Sequence, residues 1–416
     1  MIAKRLNILF IVPDFPLISE TFIVNQIIYL LDNGHNVKLL AYNQPNHPIN
    51  RKVAEYRLIE KTTFLGIPRS PTKKIAKFCK LFFQQRGASA FKSFNIFRFK
   101  FSVLTLSPFF KYVALKDVDD NYDIVHAHFG FASELFFDGS FFGFFGTSKL
   151  VVTFHGYDMH PGDIAKNRKR YKRLFQHNTL ITVNNEYGKA LLAKINPNYK
   201  NIKLLPVGLD TEYYKPIATK DQQQEVTVLF CGRLIALKGC LLVVEIANAL
   251  VNQGSRKNMR FNIIGEGEEF DRIEKLIANY NLNGYVSLLG MKTQDEVIHS
   301  MKHSDIFILP GITEESGRAE TQGLVIQEAQ AMELPVIVSD AGGMKYGVLD
   351  GITGFVIQEN NINKFCDSIA LLADNPDLRL KMGCAGREYV KQHFDSQVLG
   401  RNLEGYYYKL LAEEDH

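Results

Sequence analysis

The chain has 416 residues and a formal net charge of +5, with 46% hydrophobic and 22% charged residues. The length suggests two domains. The composition is that of a globular protein, which excludes the disordered and fibrous classes. No window of about 18 apolar residues is present, which excludes a transmembrane helix. The five cysteines are scattered and form no CxxC pair, which favours a reducing, cytoplasmic compartment over a disulfide or zinc framework.

Apolar, strand-like runs alternate with helical patterns along the chain. The first run stops at Pro13 without a small-residue cleavage site, so we interpret it as a strand and not as a signal peptide. A helix is predicted next, from near Ser19 to near Gly34. Runs of Val, Ile and Leu separated by helices indicate parallel sheets covered on both faces. The predicted strands are Asn7–Val12, Asn36–Leu40, Asp123–Ala127, Lys149–Thr153, Thr179–Val183, Ile202–Pro206, Thr227–Cys231, Arg260–Ile264, Val286–Leu289, Asp305–Leu309, Pro335–Ser339 and Gly354–Ile357.

The basic aromatic segment 61–116 is unusual in composition. It holds twelve Lys or Arg, eleven of the 31 Phe and no Asp or Glu. A helix is predicted over 73–83, with Ile75, Cys79 and Phe83 beside the candidate membrane residues Phe78 and Phe82. Lys73, Lys77 and Lys80 lie on another face. Such a helix could lie on an anionic membrane surface or pack on its own domain with a solvated basic face. Nucleic acid is disfavoured as a partner because no known binding module accompanies the charge. Between 94 and 104, helical and alternating periods are mixed, and both remain open.

Two histidine clusters follow predicted strands in the first half. One contains His126 and His128, and the other contains His155, Asp158 and His160. Neither has the ligand spacing of a zinc site. We therefore expect them to form a polar wall of the cleft, and no metal site is predicted.

The polar stretch 207–225 interrupts the alternation and is interpreted as the link between two domains. The predicted fold is α/β, with two doubly wound Rossmann-like domains facing a central cleft, because ligands of such sheets bind at the carboxyl ends of the strands. The N-terminal domain is predicted at 1–207 and the C-terminal domain at 208–390. A helix from about 391 to 416 is expected to pack back onto the first domain.

Candidate phosphate-binding residues open the second domain. Gly232 and Arg233 follow a predicted strand, and Lys238 precedes a long helix. Two cations and a helix N-terminus at a strand end could hold a diphosphate, although such charges are often only solvated. Gly265 and Gly267, in IIGEGEEF, allow a tight turn after the next strand, which on its own is weak evidence.

A pair of carboxylates, Glu320 and Glu328, lies eight residues apart near the start of another predicted helix. The amides of Gly323, Leu324 and Val325 would be the free N–H groups of its first turn and could bind a phosphate. Carboxylates are good acceptors for sugar hydroxyl groups. The alternative to a binding site is that Glu320 only favours the helix N-terminus and that Glu328 is a charge on the surface of the helix.

These motifs together resemble the GT-B-fold retaining glycosyltransferases of family 4, especially bacterial exopolysaccharide, capsule and O-antigen enzymes. The resemblance covers nearly the whole chain and depends on the order of its motifs, none of which is specific alone. The motifs are FPLISETF, TFHGYD, VGLDTEYYKP, CGRLIALKG, IIGEGEE, the Glu-x7-Glu pair and DGITGF.

The resemblance implies roles for individual residues. Arg233 and Lys238 would hold the donor diphosphate, Glu328 the ribose, and Glu320 would lie near the reacting centre, so Glu320, His155, Arg233 and Lys238 are the catalytic candidates. The other candidate donor-site residues are Gly265, Gly323, Leu324 and Val325. The acceptor-side candidates are Ser19, Glu20, Thr21 and Asp158.

Three positions depart from the family pattern. Thr321-Gln322-Gly323 replaces Gly-x-Pro, and residues 342–346 replace GGxPE. Glu333 stands where a helix-ending glycine is usual, which would cost at most about 1 kcal/mol if a left-handed conformation is needed there.

The resemblance implies transfer of a sugar, with retention and without a metal or other cofactor, from a UDP- or GDP-linked donor. The implied acceptor is a saccharide, expected on polyprenyl diphosphate at the inner face of the membrane, where the protein would be peripheral. The competing hypotheses are a non-catalytic nucleotide-sugar-binding or scaffold protein and a sugar-nucleotide epimerase of the same shape. A phosphorylase would need a motif for a cofactor-carrying lysine, and none was found.

Overall fold

The computed structural model describes residues 4–17, 20–45, 51–68, 70–84, 88–118, 121–217 and 225–413. The predicted Ser19 lies outside these residues. In the described part, the chain folds into two parallel sheets flanked by helices, as the sequence predicts.

The N-terminal sheet has seven strands in the order β3-β2-β1-β4-β5-β6-β7. The reversal of strand order between β1 and β4 is typical of a doubly wound sheet. Its central strands are almost fully buried because helices cover both faces. The strands are β1 (Asn7–Asp14), β2 (Asn36–Asn43), β3 (Thr62–Phe64), β4 (Ile124–His128), β5 (Lys149–Phe154), β6 (Leu180–Val183) and β7 (Ile202–Leu204).

Most helices of this domain connect consecutive strands, and the largest insertion lies between β3 and β4. The helices are α1 (Thr21–Asp32), α2 (Arg51–Glu55), α3 (Pro71–Phe82), α4 (Ala88–Phe91), α5 (Ile96–Phe99), α6 (Ser107–Lys116), α7 (Glu134–Phe142), α8 (Ile164–Arg170), α9 (Lys172–Gln176) and α10 (Glu186–Ile195). The 3-10 turns are Lys92–Phe94, Lys100–Thr105, Gly130–Ser133, Tyr157–Met159 and Pro161–Asp163. The mixed pattern at 94–104 is therefore helical, in two short pieces.

The C-terminal sheet has six strands in the order β10-β9-β8-β11-β12-β13. The strands are β8 (Val226–Cys231), β9 (Met259–Ile264), β10 (Val286–Leu288), β11 (Ile306–Leu309), β12 (Val336–Ser339) and β13 (Gly354–Ile357). The helices are α11 (Cys240–Asn248), α12 (Phe270–Asn279), α13 (Gln294–Lys302), α14 (Leu324–Ala331), α15 (Ile362–Asp374) and α16 (Pro376–His393). Short 3-10 turns lie at Ala236–Lys238 and Met344–Gly347, and α11 continues as a π-helical turn over Ala249–Gln253.

The last helix, α17 (Ser396–Ala412), packs against α1 of the N-terminal domain. Its residues Leu399, Leu403 and Tyr407 belong to the same buried cluster as one face of the N-terminal sheet. The chain thus crosses between the domains twice, and the two crossings meet where the Leu209 amide donates to the Phe394 carbonyl oxygen at 3.0 Å.

The predicted strands are all present, with ends that differ by a few residues. The first helix begins at Thr21 and ends at Asp32, inside its predicted bounds. Strand β3 was not predicted, because its three half-buried residues give no apolar run. Glu333 has a φ of 60°. This is the left-handed conformation, to which the glycine usual in the family is suited.

Candidate active site

An ion pair lies at the C-terminal side of the cleft. Lys238 ends the turn that follows β8, and Glu320 lies just before α14. The Lys238 Nζ is 2.5 Å from the Glu320 Oε2, and both side chains are largely buried. Burial by itself raises the pKa of Glu320. The charge and hydrogen bond of Lys238, together with the backbone amides of Gln322 and Thr321, bring that pKa below its ordinary value. Glu320 is therefore a buried carboxylate that stays ionised.

The second carboxylate, Glu328, lies one turn inside α14. Its Oε1 accepts a hydrogen bond from the Tyr214 hydroxyl at 2.7 Å, and that hydroxyl accepts one from the Gln294 amide at 2.8 Å. Burial raises the pKa of Glu328, and the Tyr214 hydrogen bond and the Lys238 charge oppose that rise. Since Lys238 acts on both glutamates, the three side chains form one electrostatic group.

A cavity of about 520 Å³ opens between the two domains beside this group. Leu324 and Glu328 line it from the C-terminal domain, and Thr21 and Lys52 line it from the N-terminal domain. The Lys52 Nζ lies 2.8 Å from an oxygen of Asp210, on the segment that connects the domains. The cavity thus brings together three residues predicted from the sequence, Thr21, Leu324 and Glu328.

The remaining predicted donor residues lie in the loops around Lys238. Arg233 is exposed in the loop after β8. Gly265 has a φ of 146°, and a Cβ atom there would lie 1.9 Å from the Gly232 carbonyl oxygen, so only glycine permits this close approach of the two loops. Gly323 is the N-cap of α14. Its amide and those of Leu324 and Val325 therefore belong to a helix N-terminus, where N–H groups lack intrahelical partners.

Three histidines lie together at the N-terminal side of the cleft, because β4 and β5 are neighbours in the sheet. The His128 Nδ1 and the His155 Nε2 are 3.0 Å apart. His126 lies 2.7 Å from both the Thr153 and the Tyr407 hydroxyl oxygens. Burial lowers the pKa of His126 and of His155 to about 3, and the pKa of His128 well below its ordinary value. All three rings are therefore neutral near pH 7.

The ring of His155 is enclosed by aromatic side chains. The centroids of Phe22 and Phe129 both lie 4.8 Å from the His155 centroid. Phe129 has a φ of 70°, an uncommon conformation for a bulky residue that is found most often at functional sites. Neither phenylalanine was predicted, since nothing in a single sequence marks these two among 31.

Asp158, predicted on the acceptor side, holds the backbone of its own loop. Its carboxylate accepts hydrogen bonds from the amides of Gly130, His155 and Gly156 at 2.7 to 3.1 Å and is only 3% exposed. Burial raises its pKa to about 6 despite these hydrogen bonds. The structure thus corrects the expected position of Asp158: it fixes the turn that carries His155 and does not itself project into the cleft.

Glu20, the other acidic acceptor-side candidate, directly precedes α1 and is partly exposed. Burial raises its pKa to about 7, and the charge of Asp14 adds to this rise. Its neighbour Thr21 is the acceptor-side candidate that lines the cavity.

Direct hydrogen bonds join the two sides of the cleft. The Thr321 hydroxyl donates to the His155 carbonyl oxygen at 3.1 Å. The Asn185 amide donates to the Thr321 carbonyl oxygen at 2.6 Å, and Gln322 makes two hydrogen bonds with the backbone of Val207, at 2.7 and 2.8 Å. The departure at position 321 is therefore an interdomain contact, and the neighbouring Gln322 makes another. Their partners were not predicted, although the departure at Thr321 was visible in the sequence.

The candidate membrane residues of α3 divide into two groups. The rings of Phe78 and Phe82 pack against Phe94 and Phe109 of the same domain, and the Lys77 Nζ donates to the Gly66 carbonyl oxygen at 2.7 Å. Lys73 and Lys80 are exposed. Packing on its own domain, the alternative interpretation of this helix, therefore describes the side of α3 that contains Phe78 and Phe82.

Metal binding and membrane crossing were also considered for the part of the chain that the structure describes. No group of three or more His, Cys, Asp and Glu side chains there is arranged to hold a metal ion. None of the described helices is both long enough and apolar enough to cross a bilayer.

Two family models match consecutive parts of the chain. The model "Glycosyltransferase Family 4" matches residues 19–213, and "Glycosyl transferases group 1" matches residues 212–389. Together they cover both domains and the carboxyl ends of strands at which the candidate residues lie.

Relatives with known names match over almost their full length. The amylovoran biosynthesis glycosyltransferase AmsK of Erwinia amylovora is 27% identical over 417 residues, which cover 96% of this chain and 98% of that one. WcaL of Escherichia coli strain K12, whose name assigns it to colanic acid biosynthesis, is 28% identical over 408 residues, 95% and 97% of the two chains.

Solved structures of the same shape include a glycosyltransferase from Rickettsia africae, with a TM-score of 0.70 and 20% identity over 98% of this chain and 99% of that one. HepE of Anabaena in complex with UDP has a TM-score of 0.71 and 14% identity over 97% and 100% of the two chains. At these identities, the likeness shows the fold.

The fold is that of a two-domain, Rossmann-like GT-B glycosyltransferase. The chain belongs to the glycosyltransferases described by the family 4 and group 1 models.

Proposed function

We propose that this glycosyltransferase moves a sugar from a UDP- or GDP-linked donor to a saccharide acceptor, with retention of anomeric configuration and without a divalent metal. The observation that carries the proposal is the position of the Lys238 ammonium group, which pairs with Glu320 and opposes the rise in the pKa of Glu328, a residue that lines the interdomain cavity. A cation that acts on both carboxylates is suited to a diphosphate that arrives with its ribose near one and its sugar near the other.

Donor binding would rearrange the ion pair. A phosphate oxygen would take the place of the Glu320 carboxylate as the partner of Lys238, with Arg233 and the N-terminus of α14 as further positive groups. Glu320 would then face the anomeric carbon. Glu320 is held ionised by Lys238 before the donor binds, so it would enter this arrangement as a carboxylate, which is suited to stabilising positive charge on the sugar.

The proposed chemical step needs no other reactant. The bond between the anomeric carbon and the phosphate oxygen breaks, and the acceptor hydroxyl oxygen bonds to the same face of that carbon. The acceptor's proton goes to the leaving phosphate oxygen, whose charge Lys238 stabilises most strongly in the transition state. The neutral His155 could hold a sugar hydroxyl group through one of its ring nitrogens.

Bacterial surface-polysaccharide synthesis is the proposed context, since AmsK and WcaL are named for amylovoran and colanic acid. A GDP-mannose-dependent mannosyltransferase of Mycobacterium tuberculosis H37Rv, 24% identical over 77% of this chain and 86% of that one, is named for a phosphatidylinositol mannoside. Together with the basic aromatic segment 61–116, this favours an acceptor on polyprenyl diphosphate at the inner surface of the membrane, with the protein bound peripherally.

The first experiment is calorimetric titration of the protein with UDP, GDP and ADP. We expect one nucleotide to bind, and Arg233→Ala to weaken that binding, whereas Lys275→Ala, at an exposed position on α12, should not change it. A screen of donor sugars with lipid-linked saccharides in EDTA would follow, with the product's anomeric configuration determined by NMR.

Each part of the proposal has an outcome that contradicts it. Full transfer activity of Glu320→Ala would remove the role given to that residue. Nucleotide binding without turnover on any acceptor would favour a scaffold, and conversion of the donor sugar without acceptor would favour an epimerase. Activity lost in EDTA and restored by a divalent cation would contradict metal independence.

A further inference from the structure

The helices between β3 and β4 expose large apolar side chains to an unusual degree. Phe97 is 94% exposed and Phe101 83%. Ile75 of α3 is 57% exposed. The other exposed apolar residues of this region, here called the aromatic patch, are Phe83, Phe91, Ile96, Phe97, Phe101 and Leu104. Single exposed apolar residues are ordinary, but six within 22 residues are typical of a surface that binds something.

The exposure is selective, because other phenylalanines of the same helices are packed. Phe78, Phe82, Phe94 and Phe109 pack together with ring centroids 4.8 to 6.2 Å apart. Phe99, within α5, is 8% exposed and stacks on Phe142 of α7. One set of rings thus attaches the segment to the domain, while the aromatic patch remains uncovered.

The segment that carries the aromatic patch is positively charged. The segment contains no Asp or Glu, and within the described residues Lys73, Lys74, Lys80 and Lys100 form no ion pair. Two other cations of the segment, Arg98 and Lys111, are paired with Asp138 of α7. The charges next to the patch are therefore available to an anionic partner, and like charges would oppose self-association through this surface.

The segment begins at the edge of the sheet that carries the candidate active site. Strand β3 ends at Phe64, and its carboxyl end lies at the same edge as those of β4 and β5 because the sheet is parallel. The Lys77 hydrogen bond to the Gly66 carbonyl oxygen attaches α3 close to that edge. A surface bound by the segment would therefore lie near the same edge of the sheet as the candidate active site.

We propose that the aromatic patch inserts into the surface of a bilayer that contains anionic lipid, with Lys73, Lys74, Lys80 and Lys100 bound to the lipid head groups. Aromatic side chains with surrounding cations are the combination that interfacial binding requires. The inference rests on the proposed function in one respect: membrane binding would give the enzyme access to a lipid-borne acceptor. It places the inserting residues at Phe97 and Phe101 and not at Phe78 and Phe82.

The test is vesicle flotation with phosphatidylcholine alone and with about a third phosphatidylglycerol, a composition that supplies the negative surface potential. We expect the wild type to float with the anionic vesicles. Phe97→Ser/Phe101→Ser should lower the partition coefficient at least ten-fold. The matched control is Ile352→Ser/Leu380→Ser, which changes two apolar residues exposed in the other domain and should have no effect.

A charge variant provides the second measurement. Lys73→Gln/Lys74→Gln/Lys80→Gln should lower partitioning onto anionic vesicles at least ten-fold, and high salt should do the same to the wild type. The inference is overturned if the wild type floats with neither vesicle, or if the Phe97/Phe101 variant floats as well as the wild type. It is also overturned if the aromatic patch binds a second copy of the chain. In that case the wild type would be a dimer that does not float, and Phe97→Ser/Phe101→Ser would be a monomer.

Nucleotide titration of the same variants separates this inference from the proposed function. Phe97→Ser/Phe101→Ser should bind nucleotide as the wild type does, because neither residue lines the cavity. Nucleotide binding without flotation contradicts the membrane surface alone, and flotation without nucleotide binding contradicts the transferase site alone.

Discussion

Two buried carboxylates on opposite sides of the cleft differ in the direction of their pKa shifts. Asp158 of the N-terminal domain and Glu320 of the C-terminal domain both accept hydrogen bonds from backbone amides. The pKa of Asp158 is nevertheless raised to about 6, and that of Glu320 is lowered. The difference is Lys238, 2.5 Å from Glu320, because no Lys or Arg side chain among the described residues lowers the pKa of Asp158. Backbone amides alone do not offset desolvation at this depth, whereas a buried ammonium group does.

The same difference extends to the other titratable groups at the two sides. The C-terminal side holds an ammonium group that acts on two carboxylates, whereas the N-terminal side holds three neutral histidines. We infer that the C-terminal side stabilises the charge that develops on a diphosphate. The N-terminal side offers a neutral hydrogen-bonding group at His155, which is partly exposed while His126 and His128 are buried, and such a group suits a sugar acceptor.

The largest expected effect is that of removing the buried cation. Lys238→Ala would leave Glu320 without its partner and a diphosphate without its central positive charge. We expect transfer activity to fall by roughly a hundred-fold or more, the loss typical of removing one group that stabilises transition-state charge. Steady-state rates would measure it, with Lys275→Ala as the control. Activity within a few-fold of the wild type would contradict the difference drawn between the two sides.

A smaller effect is expected where Glu328 meets Tyr214. Tyr214→Phe removes the hydroxyl group that donates to Glu328 and leaves a buried carboxylate without that hydrogen bond. We expect nucleotide affinity to fall about ten-fold, which corresponds to about 1.4 kcal/mol. Tyr56→Phe is a matched control, because its hydroxyl also donates to a carboxylate, that of Asp32, and neither residue lines the cavity. Equal effects of the two variants in calorimetry would contradict this role for Tyr214.

The strands could be predicted because parallel sheets covered on both faces produce near-continuous apolar runs, as in VLFC before Gly232. Lys238, Glu320 and Glu328 were candidates because each lies near the end of a strand or the first turns of a helix, where parallel sheets bind ligands. Tyr214 could not be assigned to Glu328, since the two are 114 residues apart in sequence. A single sequence does not specify such pairs.

The basic aromatic segment shows a different limit. The helical period of α3 correctly predicts one apolar face, formed by Phe78 and Phe82 with other residues. Periodicity identifies a face but not what covers it. Here Phe94 and Phe109 of the same domain cover Phe78 and Phe82, whereas Ile75 and Phe83 of the same predicted face are exposed. The exposed rings of Phe97 and Phe101 lie in short helices too irregular for a period to emerge.

The neutral histidines predict a pH dependence of stability. The pKa of His155 is about 3 in the folded protein and about 6.5 when unfolded. Between these values the unfolded state binds a proton that the folded state does not. Stability therefore falls as the pH falls through this window, by at most about 1.4 kcal/mol per pH unit for each such group. His155→Gln should make the dependence shallower in urea unfolding between pH 6 and pH 4.

Asp158 provides a control of opposite sign. Its pKa is raised to about 6 in the folded protein, so the folded state holds the extra proton, and stability rises as the pH falls from about 6 to the ordinary value of about 4. Asp158→Asn should therefore steepen the loss of stability at acid pH, whereas His155→Gln reduces it. Changes of the same sign in the two variants would contradict the difference in protonation that we infer.

The smallest effect is expected away from the cleft, at Glu333, and it separates the stability of the C-terminal domain from the chemistry of its site. Glu333 has a φ of 60°, which a glycine adopts without the steric cost of a Cβ atom, although glycine loses more entropy on folding. Glu333→Gly should therefore raise the free energy of unfolding by about 0.5 to 1 kcal/mol in urea and leave nucleotide affinity unchanged. Asn360→Gly, at a φ of 63°, should gain less stability, because asparagine tolerates this conformation better than glutamate.

A changed nucleotide affinity in Glu333→Gly would mean that the site responds to the stability of its domain. The effects of Lys238→Ala and Tyr214→Phe would then need correction for stability before they could be assigned to charge.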